Sequence, residues 1–170
     1  MLNRQAKLYQ FQEDFSAQYQ VELVGLTMDE TLAKLISTQQ HKQVTKILKT
    51  FKISDKKYYH IKCKTLAKER KFDELYNFAQ ERKSPIGYLP FYNYLMKEKH
   101  KREAIVYISM LSGVPYSKRL QMHLKCGSFY DAIQLATKEK DIQSLKKIYN
   151  LIPSNEPQLK TLVTENMSKL

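Results

Sequence analysis

Glycine is scarce in this chain: its 170 residues include only four glycines, at positions 25, 87, 113 and 127. A loop that cradles nucleotide phosphates needs several glycines within a few residues, so this spacing excludes a nucleotide-binding loop. The chain also has no Gly-x-Ser-x-Gly turn and no His-Glu-x-x-His segment, which are typical of serine hydrolases and zinc proteases. These absences predict a protein without enzyme activity and without a bound cofactor.

The chain has few cysteines and no long apolar run. Cys63 and Cys126 are the only two cysteines, too few for a disulfide framework, which favours a reducing compartment. The longest apolar run, residues 104–108, has five residues, whereas a helix needs about 18 to span a bilayer. The first residues lack the apolar core of a secretory signal. We therefore expect a cytoplasmic protein without a transmembrane helix.

Acidic residues are outnumbered by basic ones, and the net charge is +12. The excess lies in residues 41–125, which carry 20 basic and 7 acidic side chains, or +13. Such a block attracts an acidic protein face, anionic lipid or nucleic acid, and the charge alone does not choose among them. The simpler interpretation is that lysines line solvated helix faces.

Apolar side chains recur at three- and four-residue spacing along most of the chain, which predicts amphipathic helices and no strands. We expect an opening helix of about 20 residues that ends at Gly25. Thr27 and Glu30 have the spacing of a capping box, and Ser54 or Asp55 can cap a later helix. The residues predicted to be buried include Phe15, Tyr19, Leu32, Leu75, Tyr76, Ile142, Leu145 and Tyr149.

The second helices of successive hairpins open with similar segments, aligned at residues 42, 71, 101 and 128 and thus 29, 30 and 27 residues apart. Two helices per repeat of about 30 residues are typical of an α-solenoid, in which each hairpin buries its apolar stripe against its neighbours. The repeat matches neither the tetratricopeptide nor the ankyrin signature. We predict an all-α solenoid of about four hairpins, with residues 1–170 forming a single domain.

A His-x-x-Cys pattern occurs twice, at His60 with Cys63 and at His123 with Cys126. Two such pairs would suit tetrahedral zinc. They lie about two solenoid repeats apart, however, which exceeds the reach of a shared metal ion. Cys63 also falls on a predicted core stripe, so we interpret these residues as structural and expect no metal.

Lysines flank aromatic residues between Lys56 and Lys62, an arrangement that can stack bases beside phosphate-binding charges. Tyr59 in this segment belongs to a predicted core stripe, and large tyrosine rings also fill the wide gaps between helices. RNA binding therefore stays an alternative hypothesis, together with binding to anionic membrane.

Residues 83–91, with the sequence KSPIGYLPF, hold one of the four glycines and two of the five prolines. Pro85 has no donor N–H, Gly87 can take positive φ, and Pro90 suits the first turn of a helix. One helix is therefore expected to stop at this joint and another to start.

This joint resembles that of the C-terminal domain in the vacuolar protein sorting-associated protein 16 family. The similarity extends over about residues 20 to 145. It includes the helix entry at Gly25-Leu26-Thr27, the return-helix start at His41-Lys42, the turn at Asp55-Lys56-Lys57, and the segment Phe72-Asp73-Glu74-Leu75.

The resemblance implies a non-enzymatic scaffold. Members of the family are core subunits of the HOPS and CORVET tethering complexes, peripheral on late endosome and vacuole or lysosome membranes. Their solenoid docks an SM-family subunit, vacuolar protein sorting-associated protein 33, for SNARE-mediated fusion and vesicle transport. The resemblance places the docking part in residues 1–82, before the joint at residues 83–91, with later hairpins and a tail in residues 92–170.

Within the docking part, the resemblance assigns the SM contact to Lys57, with Lys56 and Tyr58 as its neighbours, and no nucleic acid is expected as partner. Two departures qualify it. Family members often have arginine at the position of Lys57, and lysine offers a point charge in place of a two-pronged guanidinium. They also carry a large β-propeller that these residues cannot form, so we expect a part of such a protein or a shorter paralogue that pairs with a sister SM protein.

Overall fold

The computed structural model describes residues 3–170, and every regular element in this range is an α-helix. The fold is thus all-α, a helical repeat of the solenoid class, as predicted. The helices are α1 Arg4–Tyr19, α2 Met28–Ser37, α3 His41–Thr50, α4 Asp55–Lys68, α5 Phe72–Glu81, α6 Leu89–Lys97, α7 Lys101–Ser109, α8 Tyr116–Lys125, α9 Phe129–Lys138, α10 Ile142–Leu151 and α11 Pro157–Ser168.

The helices form two compact units, the first ending at Tyr94 and the second comprising Leu95–Leu170. In the first unit, α2 packs against α3 and α4, and α4 packs against α5. In the second, α8 packs against α7 and α9, while α9, α10 and α11 pack against one another. These helices therefore pack against helices that are near in sequence, as a repeat architecture requires.

The return helices α3, α5, α7 and α9 begin at residues 41, 72, 101 and 129, so their starts advance by 31, 29 and 28 residues. One turn geometry precedes all four. Two residues before each helix the backbone is left-handed, with φ of 56° at Gln39, 60° at Arg70, 64° at Lys99 and 74° at Gly127. The next residue donates its N–H to a carbonyl five residues back, at 2.8–3.0 Å, the Schellman arrangement.

The helix starts follow the predicted caps. The Thr27 N–H donates to the Glu30 carboxylate at 2.8 Å, and the Glu30 N–H donates to the Thr27 hydroxyl at 3.3 Å, a complete capping box at α2. Ser54, rather than Asp55, caps α4. The predicted end of the first helix at Gly25 is wrong, because α1 stops at Tyr19 and Gln20 takes the left-handed conformation with φ of 55°.

The predicted stripes hold for most core positions, with a few exceptions. In α5, Phe78 is 3% exposed, whereas the predicted Tyr76 is 42% exposed. In α10, Ile148 is fully buried, whereas the predicted Ile142 and Tyr149 are 39% and 37% exposed. Tyr19 is also exposed. Each residue turns a helix by about 100°, so a neighbour of a buried residue points away from the core.

The joint at residues 83–91 separates α5 from α6 as predicted. Gly87 has a φ of 68°, a conformation that strains residues with a Cβ. Its N–H donates to the Ser84 carbonyl at 3.2 Å, and the Ser84 hydroxyl accepts from the Ile86 N–H at 3.3 Å. Pro90 is the second residue of α6, where its missing N–H has no partner to lose.

Candidate partner-binding groove

The first turn of α4 positions the predicted contact residues Lys56, Lys57 and Tyr58. The Ser54 hydroxyl accepts from the Lys57 N–H at 3.3 Å and fixes this turn. Because α4 packs between α2 and α5, residues that follow one another in this turn face different neighbours. Lys56 is exposed.

Lys57 faces α2. Its ammonium lies 2.7 Å from the Asp29 carboxylate, and the two side chains are 50% and 56% exposed. An ion pair this exposed contributes about 1 kcal/mol or less to stability. The pair therefore links α2 to α4 weakly, and the Lys57 charge stays accessible to another carboxylate.

Tyr58 faces α5 instead. Its ring meets the ring of Phe78 edge-on, with centroids 6.1 Å apart, and the Lys62 ammonium lies 6.0 Å from the Tyr58 centroid. Burial raises the pKa of Tyr58 to about 12, assisted by the negative charge of Glu81. The phenol is thus neutral at physiological pH and packs against α5, so Lys57 and Tyr58 do not share one contact face.

A groove of about 980 Å³ runs between α2 and α4, and Lys57 stands on its wall. Apolar and small side chains line it, together with charges of both signs. Such walls suit a partner segment that has an apolar stripe flanked by mixed charges. The lining residues are Leu26, Asp29, Glu30, Ala33, Lys34, Ser37, Lys57, His60, Ile61, Lys64, Thr65, Lys68, Glu69 and Tyr94.

Hydrogen bonds fix the groove along its length. A ring nitrogen of His60 lies 3.1 Å from the Tyr94 hydroxyl. The Glu69 carboxylate accepts from the Ser37 hydroxyl and lies 3.1 Å from the Lys71 ammonium. Burial opposes ionisation of Glu69, but these two hydrogen bonds outweigh it and lower its pKa. Glu69 is therefore an ionised anchor between α2 and α4.

Sequence reasoning missed Asp29 as the partner of Lys57, because a carboxylate in a first helical turn is already explained by the helix dipole. A signal for the pair was present. Asp29 and Lys57 each lie in the first turn of a capped helix and are 28 residues apart (57 − 29), about one repeat. Equivalent positions of successive repeats are neighbours in a solenoid.

The two His-x-x-Cys pairs show no shared ligand set. Cys63 is fully buried, and this burial raises the pKa of its thiol to about 12, which disfavours the thiolate that binds metals. His123 has a pKa lowered by burial, and its Nδ1 lies 4.0 Å from Asp131. Among residues 3–170, no group of three or more histidine, cysteine or acidic side chains is placed to hold a metal ion.

Stacked helical hairpins with a groove of mixed lining define a helical-repeat module. The family described as Vps16, C-terminal region matches residues 1–170. The chain belongs to this family.

Curated relatives agree with the family match. The chain is 53% identical over 169 residues to vacuolar protein sorting-associated protein 16 of Saccharomyces cerevisiae. This match covers 99% of the chain and 21% of the yeast protein. It is 33% identical over 156 residues to the vacuolar protein sorting-associated protein 16 homolog of Dictyostelium discoideum, a match that covers 91% of the chain and 18% of that homolog. The chain thus spans about a fifth of the length of these relatives, whose names refer to vacuolar protein sorting.

Within the part of the chain that the structure describes, none of the helices combines the length and the hydrophobicity that crossing a bilayer demands.

Proposed function

We propose that this chain is a non-enzymatic scaffold that docks an SM-family subunit of the vacuolar protein sorting-associated protein 33 type. The proposal extends to membership in HOPS and CORVET tethering complexes on the late endosome and vacuole or lysosome, where the docked subunit assembles SNARE bundles. The observation that carries it is the placement of Lys57, which lines the groove between α2 and α4.

A partner can dock at this groove by forming an ion pair with Lys57. Lys57 already pairs with Asp29 across the groove, and a partner carboxylate can replace Asp29 at little cost because the pair is solvent-exposed. Lys56, the preceding residue, is exposed and adds attraction for an acidic partner. Tyr58 supports the site from behind, since its ring packs on Phe78 and holds α4 against α5.

The test is the affinity of the SM-family subunit for the chain and for Lys57→Glu. Charge reversal at the groove should lower the affinity at least about tenfold, because a repulsive pair replaces an attractive one. Helicity should stay unchanged, since the Lys57 and Asp29 side chains are both exposed and their ion pair adds little stability. Lys146→Glu, an exposed reversal on α10, is the control and should leave the affinity within about twofold. Equal affinity for wild type and Lys57→Glu would remove Lys57 from the contact.

RNA binding through the lysine and tyrosine segment is the competing hypothesis. Tyr59 is 1% exposed and Tyr58 packs on Phe78, so these rings are occupied in the core and a base has little ring surface to stack on. A structured RNA added to the SM-subunit binding experiment distinguishes the two. Steep loss of binding with salt together with displacement by RNA would favour a phosphate binder.

A further inference from the structure

Helices α1 and α3 are antiparallel neighbours. At one end, the Arg4 guanidinium donates to the Phe51 carbonyl at 3.2 Å, just after the last residue of α3. At the other end, the Gln43 side-chain amide donates to the Tyr19 hydroxyl at 3.3 Å, at the last residue of α1. The two helices therefore lie side by side along most of their length.

Lysines occupy the outward side of α3. Lys42, Lys46 and Lys49 are all exposed and recur at i, i+4 and i+7, which places them on one helix face. This face lies opposite the buried Val44 and Ile47. Its three charges consequently point to solvent and away from the core.

Helix α1 continues the basic surface. Arg4 and Lys7 are exposed and lie at i and i+3 before Phe11 at i+7, on the same side of the helix. The Lys46 ammonium lies 5.8 Å from the centre of the Phe11 ring, so this side of α1 adjoins the lysines of α3. We name the set Arg4, Lys7, Lys42, Lys46 and Lys49 the cationic face.

Acidic side chains do not neutralise the cationic face. Residues 31–54 contain no Asp or Glu, and Asp55 is paired with Arg82 at 3.0 Å. Asp14 lies on the same side of α1 as Lys7, about two turns along the helix. It accepts from the Gln10 amide at 3.0 Å and, in the part of the chain that the structure describes, forms no ion pair with a lysine of this face. Within the described residues, none of the five cations of this face forms an ion pair.

We propose that the cationic face binds the surface of a bilayer that contains anionic phospholipids. Four of its five charges are lysines, mobile point charges that suit a diffuse layer of headgroups better than a fixed carboxylate pair. Helix α3 exposes no large hydrophobic side chain, so its contact with the bilayer is electrostatic and α3 does not insert. The groove between α2 and α4 is lined by other residues, so the cationic face is separate from the proposed docking site.

The test is co-sedimentation of the chain with vesicles of phosphatidylcholine alone and with about 30 mol% phosphatidylserine, at low and physiological salt. Binding should need phosphatidylserine and should weaken steeply with salt. Lys7→Glu/Lys49→Glu removes four charge units from two helices and should lower the partition at least about tenfold. Lys7→Gln/Lys49→Gln should lower the partition by less. If Lys7→Glu/Lys49→Glu loses helicity, this neutral variant replaces it in the test.

Lys146→Glu/Lys147→Glu is the matched control, because both residues are exposed on α10 and the change in net charge is the same. This control should keep wild-type partition within about twofold. Equal loss in both reversal variants would show that net charge alone acts, and absence of wild-type binding to anionic vesicles would end the proposal. Preference for RNA over these vesicles at equal salt, lost in Lys7→Glu/Lys49→Glu, would assign the face to nucleic acid instead.

Discussion

Gln12 is a polar residue that behaves as a core residue. It is 1% exposed, and its amide group donates to the Leu26 carbonyl at 2.8 Å and to the Thr31 hydroxyl at 2.7 Å. Its carbonyl oxygen accepts from the Gly25 N–H at 3.3 Å. One side chain thus satisfies the backbone of the loop between α1 and α2, which explains how a buried amide is tolerated.

Gln12→Leu should destabilise the chain by about 1–2 kcal/mol, because the Gly25 N–H and the Leu26 carbonyl lose partly buried hydrogen bonds to the Gln12 side chain. The measurement is urea unfolding followed by circular dichroism. Gln10→Leu on the same helix is the control: Gln10 is exposed, and its replacement should change stability by about 0.5 kcal/mol or less. A Gln12→Leu variant as stable as wild type would contradict this role.

At the scale of elements, the turn before each return helix keeps one geometry although its sequence varies. Gln39, Arg70, Lys99 and Gly127 all adopt the left-handed conformation before a return helix, although only one of them is glycine. The conserved geometry reflects the need to cap one helix and reverse the chain within a few residues. Non-glycine residues here carry a conformational cost that the packed hairpins offset.

Two substitutions at this turn should have opposite effects. Lys99→Gly should stabilise by about 0.5–1 kcal/mol, since glycine removes the left-handed strain. Gly127→Ala should destabilise by about 1 kcal/mol. A Cβ at Gly127 would have no heavy atom within 4 Å, so its φ of 74° alone causes the loss. Differential scanning calorimetry of both variants checks the signs, and equal signs would exclude backbone strain as the cause.

For the whole molecule, charge is distributed unevenly. The net charge is +12, and residues 31–54 contain no acidic side chain. Repulsion among like charges opposes the compact state and is screened by salt. The uneven distribution therefore makes stability depend on ionic strength.

Raising NaCl from about 20 to 200 mM should raise the melting temperature by roughly a few degrees, because the added ions screen lysine repulsion. Lys42→Glu/Lys49→Glu lowers the net charge to +8 (12 − 4) and should reduce this rise. Lys146→Glu/Lys147→Glu reaches the same net charge, but it lies in residues 126–170, which carry 6 basic and 5 acidic side chains. It should therefore reduce the salt-induced rise in melting temperature less. A melting temperature that falls with salt would mean that attractive ion pairs dominate.

The sequence by itself determined the all-α class, the repeat near 30 residues, the capping box at Thr27 and the helix break at residues 83–91. Each of these depends on local chemistry: apolar periodicity, side-chain caps, and the backbone limits of glycine and proline. Lys57 was also located from sequence, through resemblance to a family. Its assignment as an SM contact remains a proposal.

Only the tertiary structure decided how these parts meet. It paired Lys57 with Asp29, turned Tyr58 toward Phe78, and placed the polar Gln12 in the core. Helical periodicity indicates which residues share a face, but it does not show which neighbouring helix that face meets. Contacts across a repeat depend on the angle and separation at which two helices pack, and these follow from the side chains of both helices together.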